Sequence, residues 1–132
     1  MTKPHADLRR ALGSFATGVT VVTARDPGGD DVAPADVGLT VNSFGSVSLD
    51  PPLVLWSLAR RAASFEAFGR ASHYAVHVLG AHQQPISQRF ATHGIDRFAG
   101  LDLLRGPGDL PLLADCVTLA APWQLLVPTQ SE

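Results

Sequence analysis

A single cysteine, Cys116, leaves no partner for an intrachain disulfide, and a single lysine accompanies nine arginines spread along the chain. The first scarcity, with residues 1–7 too polar for a signal peptide, makes a reducing cytoplasm the expected location. The second, with a formal net charge of −2, provides no basic cluster of the kind that binds nucleic acid by counterion release. No run approaches the roughly eighteen apolar residues that a membrane span requires. Also missing are a G-x-G-x-x-G turn, a Walker lysine motif and a G-x-S-x-G elbow, which removes support for a Rossmann cradle or α/β-hydrolase chemistry. Charge is scarce as well: 17% of the 132 residues are charged and 45% apolar, enough to fill one core and leave surface for a partner subunit. A single domain over residues 1–132 and a dimer are the expectation.

What is present is mostly strand-like. Residues 7–15 place Leu8, Ala11, Leu12 and Phe15 at i, i+3, i+4 and i+7, the stripe of an amphipathic helix. The β-branched run at 19–23 follows, then a turn-rich loop, DPGGDDVAPAD, at 26–36. Strands are expected at 37–41, 53–58 and 73–79, and helices at 61–68, closed by Gly69, and at 83–91. Residues 105–111, RGPGDLP, show little periodicity, 112–119 fits one more strand, and 123–127 fits a short apolar strand or a frayed end. Short loops leave no room for repeated helical crossovers, so the fold class is α+β, mainly β with flanking helices around an antiparallel sheet.

The stretch 37–57, VGLTVNSFGSVSLDPPLVLWS, is the most informative. If residues 40–48 stay extended, Thr40, Asn42, Ser46 and Ser48 share one face and Val41 and Val47 the other. That polar face suits a flat ligand with polar edges, or simply water. Arg60-Arg61-Ala62-Ala63-Ser64 follows a strand and opens a helix, so it reads either as a phosphate site or as a solvated basic turn. His73 and His77 on one strand would lie about 13 Å apart, too far to share a metal ion. His82 and His93 read as solvated imidazoles, and Cys116 as a buried structural thiol. Arg89-Phe90 and Arg97-Phe98 each read as a surface arginine beside a core ring.

Taken together, RRALGSFATGVTVVT (9–23), GLTVNSFGSVSLDPPLVLWSL (38–58), RRAASF (60–65), HYAVHVL (73–79), QRFA (88–91) and DRFAG (96–100) resemble the flavin reductase-like family of split-barrel flavoproteins, the reductase components of two-component flavin monooxygenases. The resemblance runs over residues 8–118 and is most specific in the 38–58 segment. It implies an antiparallel split β-barrel of the FMN-binding type, a homodimer, and FMN or FAD as cofactor with NADH or NADPH as reductant. It further implies a monooxygenase partner that receives the reduced flavin. Onto this chain it carries Thr40, Asn42, Ser43, Ser46, Val47 and Ser48 as the wall of the isoalloxazine and ribityl chain, and Ser57, Arg61 and Ser64 as the phosphate holders. Thr40 and Asn42 are the candidate donors for the negative charge of the reduced ring. No catalytic side chain and no metal ligand is implied, because the cofactor carries the reactivity. The closing TLAAPWQLLVPTQSE does not follow the family pattern, so the expectation is a domain short of its last one or two strands. Three readings stay open: an NAD(P)H:flavin reductase, a flavin-binding module without reductase activity, and a non-functional fragment that needs the absent strands to fold.

Overall fold

The computed structural model describes residues 19–41, 45–49, 52–55 and 64–122. The helix expected at 7–15 and the apolar segment 123–127 lie outside the described residues. The β-branched run becomes β1 (Thr20–Asp26), which pairs antiparallel with β2 (Ala35–Val41) from Thr20 opposite Val41 to Asp26 opposite Ala35. Their connection closes on a Gly29–Val32 bridge. Gly28 enters it at φ +81°, where an added Cβ would strike the Val32 carbonyl, so glycine is required there. β3 (Gly45–Leu49) and β4 (Pro52–Leu55) form a separate antiparallel pair, with Leu49 opposite Pro52 on either side of Asp50-Pro51.

Helix α1 (Phe65–Arg70) runs past the expected stop at Gly69 and ends at Ala71, whose backbone turns extended. The reason is tertiary. Arg70 clamps Asp26 at the end of β1 with Nε to Oδ1 at 2.9 Å and Nη2 to Oδ2 at 2.7 Å, while Ala71 is buried in the core. These two anchors hold the last turn in place beyond the glycine. The Gly28 amide also donates to Asp26 Oδ1 at 2.8 Å. The Arg70 hydrogen bonds, outweighing desolvation, lower the carboxyl pKa of Asp26 below its ordinary value.

β5 (His73–Val78) pairs with the other edge of β1, and a 3₁₀ turn (Ala81–Gln83) leads into α2 (Gln84–Arg89). Beyond it the structure departs from expectation. The segment that shows no periodicity holds a hairpin, β6 (Leu103–Gly106) against β7 (Leu110–Leu113), turned by Pro107–Asp109 with Gly108 at φ 66° and Asp109 at φ 61°. The strand expected at 112–119 is two strands: Asp115, at φ 61°, breaks the chain between β7 and β8 (Val117–Pro122). β8 pairs with β5, giving a four-stranded sheet in the order β2-β1-β5-β8, and every pairing among the described strands is antiparallel.

Central β1 is buried on both faces, which explains its lack of polar alternation. Val22 and Ala24 pack with Val41, Phe68, Ala71 and Val76 on one side; Val21 packs with Leu79, Phe90 and Leu113 on the other. Its two threonines spend their hydroxyls inside, Thr20 on the Val41 carbonyl at 2.8 Å and Thr23 on the Pro111 carbonyl at 2.7 Å. Asp36 of β2 binds Arg25 at 3.0 Å and Arg105 of β6 at 2.8 Å, tying the β6–β7 hairpin to the sheet edge. Partial burial opposes ionisation of Asp36, but the Arg105 and Arg25 hydrogen bonds prevail and its pKa falls.

Candidate functional site

Of the residues proposed from sequence, Asn42, Ser43, Ser57 and Arg61 lie outside the described residues. Ser46, Val47 and Ser48 are described through the backbone of β3. The expected unbroken alternation from 40 to 48 does not hold there: Ser46 faces Val54 and Ser48 faces the adjacent Leu53, so Val47 is an extra residue without a partner in the ladder. A bulge of this kind leaves one residue's N–H and C=O outside the strand pairing. A peptide at such an interruption is the sort of group that can bind the polar edge of a planar ring.

Thr40 stands at the end of β2, held from outside its own sheet. Its hydroxyl donates to the Ser87 carbonyl at 2.5 Å, and its amide donates to the Phe90 carbonyl at 3.2 Å. The proton expected to serve a reduced ring is thus given to the protein, and only the lone pairs of Oγ1 remain for a ligand. Two residues earlier, the Gly38 carbonyl accepts from Arg97 Nη1 at 2.8 Å. A Cβ at Gly38 would come within 2.8 Å of the Phe90 ring and 3.1 Å of the Phe98 ring, so glycine permits this approach.

The two arginine–phenylalanine pairs build that support. Phe90 is fully buried and meets Phe98 edge-to-face, with centroids 5.1 Å apart and planes at 82°. Arg89 Nε donates to the Arg97 carbonyl at 2.6 Å, and its Nη2 donates to the carbonyls of Asp96 and Ala99. Arg97 Nε donates to the Thr92 carbonyl at 3.0 Å. Neither arginine is merely a solvated surface group. The only sequence signal was the repeated R-F pair itself, and the Ser87 carbonyl had none.

Ser64 is half-buried and makes no capping bond to α1 with its hydroxyl. It lines a groove of about 290 Å³ together with Gly38, Ala67, Ile95, Arg97 and Phe98. The structure therefore brings the start of α1 and the strand that carries Thr40 to one groove. A second groove, of about 260 Å³, lies between Gln83, Ile86, Leu101, Leu113 and Cys116. Cys116 is half-buried rather than fully buried. Desolvation raises its thiol pKa, and Gln83 Nε2 lies 3.4 Å from the sulfur. His82 and His93 are exposed, as expected. His77 is fully buried, its Nδ1 3.0 Å from the Val21 carbonyl and its Nε2 accepting the Leu113 amide at 3.0 Å.

Residues 12–120 match the family model of the flavin reductase like domain. An 86-residue segment, 65% of this chain and 46% of the relative, is 56% identical to FMN reductase (NADH) SmoA of Agrobacterium fabrum. Stachydrine N-demethylase reductase subunit Stc3 of Rhizobium meliloti is 45% identical over 107 residues, 81% of this chain and 44% of that protein. The chain thus spans less than half the length of these two relatives. The Streptomyces globisporus C-1027 NADH:FAD oxidoreductase SgcE6, solved in complex with NAD and FAD fragments, superposes with a TM-score of 0.71 at 34% identity, covering 98% of this chain and 76% of that one. The antiparallel sheets are accordingly those of the flavin reductase split barrel, and the chain belongs to the flavin reductase like domain family.

Proposed function

We propose that this domain belongs to an NAD(P)H:flavin reductase that acts as a homodimer in the cytoplasm and passes reduced flavin to a monooxygenase. The observation that carries the reading is the family match over residues 12–120, which includes the whole 38–58 segment, joined to relatives named for NADH-dependent reduction of FMN or FAD. Asn42, Ser43, Ser46, Val47 and Ser48 form the wall for the isoalloxazine and ribityl chain, and Thr40 precedes them in the chain. Ser57, Arg61 and Ser64 hold the phosphate.

The residues present fit a flavin in two respects. Val47 is the bulged residue of the β3–β4 ladder, where strand pairing is interrupted, and Ser64 keeps a hydroxyl that its own helix does not use. When bound, flavin supplies the redox chemistry by accepting a hydride from the nicotinamide. This chain's task is to bind and orient. Peptide donors beside the pyrimidine end favour the charge that develops there on reduction, and the guanidinium of Arg61 pairs with the phosphate.

Arg61→Ala tests the reading. Losing a charge-assisted hydrogen bond is expected to weaken FMN by roughly ten- to a hundredfold, while riboflavin, which carries no phosphate, changes by less than about twofold. Fluorescence titration with both ligands measures this, and equal losses would remove Arg61 from the phosphate site.

A further inference from the structure

Three independent contacts join β2 to the segment 87–98. They are the Thr40 hydroxyl on the Ser87 carbonyl, the Thr40 amide on the Phe90 carbonyl, and Arg97 on the Gly38 carbonyl. The segment is itself stiffened, because Arg89 holds the carbonyls of residues 96, 97 and 99, Arg97 holds that of Thr92, and the Phe90–Phe98 pair fills the space over Gly38. Arg97 forms none of the ion pairs among the described residues; it donates to the main-chain carbonyls of Thr92 and Gly38, contacts that fix backbone course rather than neutralise charge. The strand so gripped is the one that ends at Val41, immediately before Asn42.

We propose that residues 87–98 form a clasp that sets the course of β2 into the flavin wall, with Thr40 and Arg97 as positioning residues that govern flavin affinity without supplying a group to the ring. This rests on the flavin reading of residues 42–48. Because the clasp orients the wall rather than the phosphate, loosening it weakens riboflavin and FMN by the same factor. That separates it from the Arg61 effect, which falls on FMN alone. A precisely held wall also loses affinity as a unit: once one contact is gone, the second has less to hold.

The test uses the full chain and the variants Thr40→Val, Thr40→Ser, Arg97→Gln and the Thr40→Val/Arg97→Gln pair, each first checked for a cooperative thermal transition. Thr40→Val and Arg97→Gln are each expected to weaken riboflavin and FMN alike by roughly five- to tenfold, the scale of one hydrogen bond. Thr40→Ser keeps the hydroxyl and stays within about twofold, and the double variant loses less than the product of the singles. In turnover the KM for flavin rises while kcat at saturating flavin holds. Folded Thr40→Val and Arg97→Gln proteins that bind both flavins like wild type would overturn the clasp. So would a loss confined to Thr40→Val, which would mean that Thr40 touches the ring. Should Arg97→Gln fail to fold, Arg97→Lys takes its place beside Thr40→Val, so that a loss at Thr40 alone still counts against the clasp. A wild-type chain that binds neither flavin would overturn the flavin reading itself, a result distinguishable from the others.

Discussion

Phe90→Ala is expected to destabilise the fold by about 3–5 kcal/mol, the range for truncating a buried ring to a methyl. Phe90 is fully buried, packs with Val21, Leu79 and Leu113, and meets Phe98 edge-to-face. Its backbone also receives the Thr40 amide. The cavity would open beside β1, a strand already buried on both faces, so there is little freedom to collapse into it. Chemical denaturation of wild type and variant measures the loss. Phe65→Ala, which truncates a ring 37% exposed, is the control and should cost far less. A Phe90→Ala penalty below about 1 kcal/mol would contradict the packing described.

The second large effect is acid instability from His77. Its Nε2 accepts the Leu113 amide and must therefore be unprotonated, so Nδ1–H is the donor to Val21. Protonation would break the link from β5 to β7 and place a charge in the core. Burial depresses the imidazole pKa from 6.5 to about 4, against the opposing pull of the Val21 carbonyl. The unfolded chain, titrating near 6.5, takes up the proton first as pH falls. The contribution is therefore complete above that value and is lost between it and about 4, by about 3 kcal/mol. The Asp26 and Asp36 carboxyls, lowered from 3.8, weaken the fold only in still more acid solution. Denaturant midpoints across pH should slope in the His77 window for wild type and flatten for His77→Gln; parallel curves would contradict the assignment.

Strands β1, β2 and β5 were legible because β-branched runs between turn formers have few other options. The β6–β7 hairpin was not: each strand is four residues long, and Gly-Pro-Gly-Asp supplies the turn while interrupting any alternation. The bulge at Val47 was equally hidden, since period-two counting assumes the regular ladder that a bulge breaks. Helix α1 outruns Gly69 because Arg70 finds Asp26, 44 residues away in the chain. Thr40 shows the same limit at the site. From the residues alone its hydroxyl read as facing water or a ligand, and its partner is a carbonyl 47 residues on. For His77 the sequence showed only that it lies too far from His73 to share a metal ion; the β7 amide that fixes its tautomer is 36 residues on. Residue types and local spacing reveal which groups are available; which of them the fold itself consumes depends on contacts distant in the chain.

Anaerobic turnover of the purified chain with FMN or FAD and NADH or NADPH bears most directly on the proposed function. Oxidation of the nicotinamide accompanied by bleaching of the flavin's visible absorption band, at a rate that depends on enzyme and falls in Arg61→Ala at limiting FMN, is the expected result. Flavin bound with unchanged nicotinamide would contradict a reductase and leave a flavin-binding module in its place.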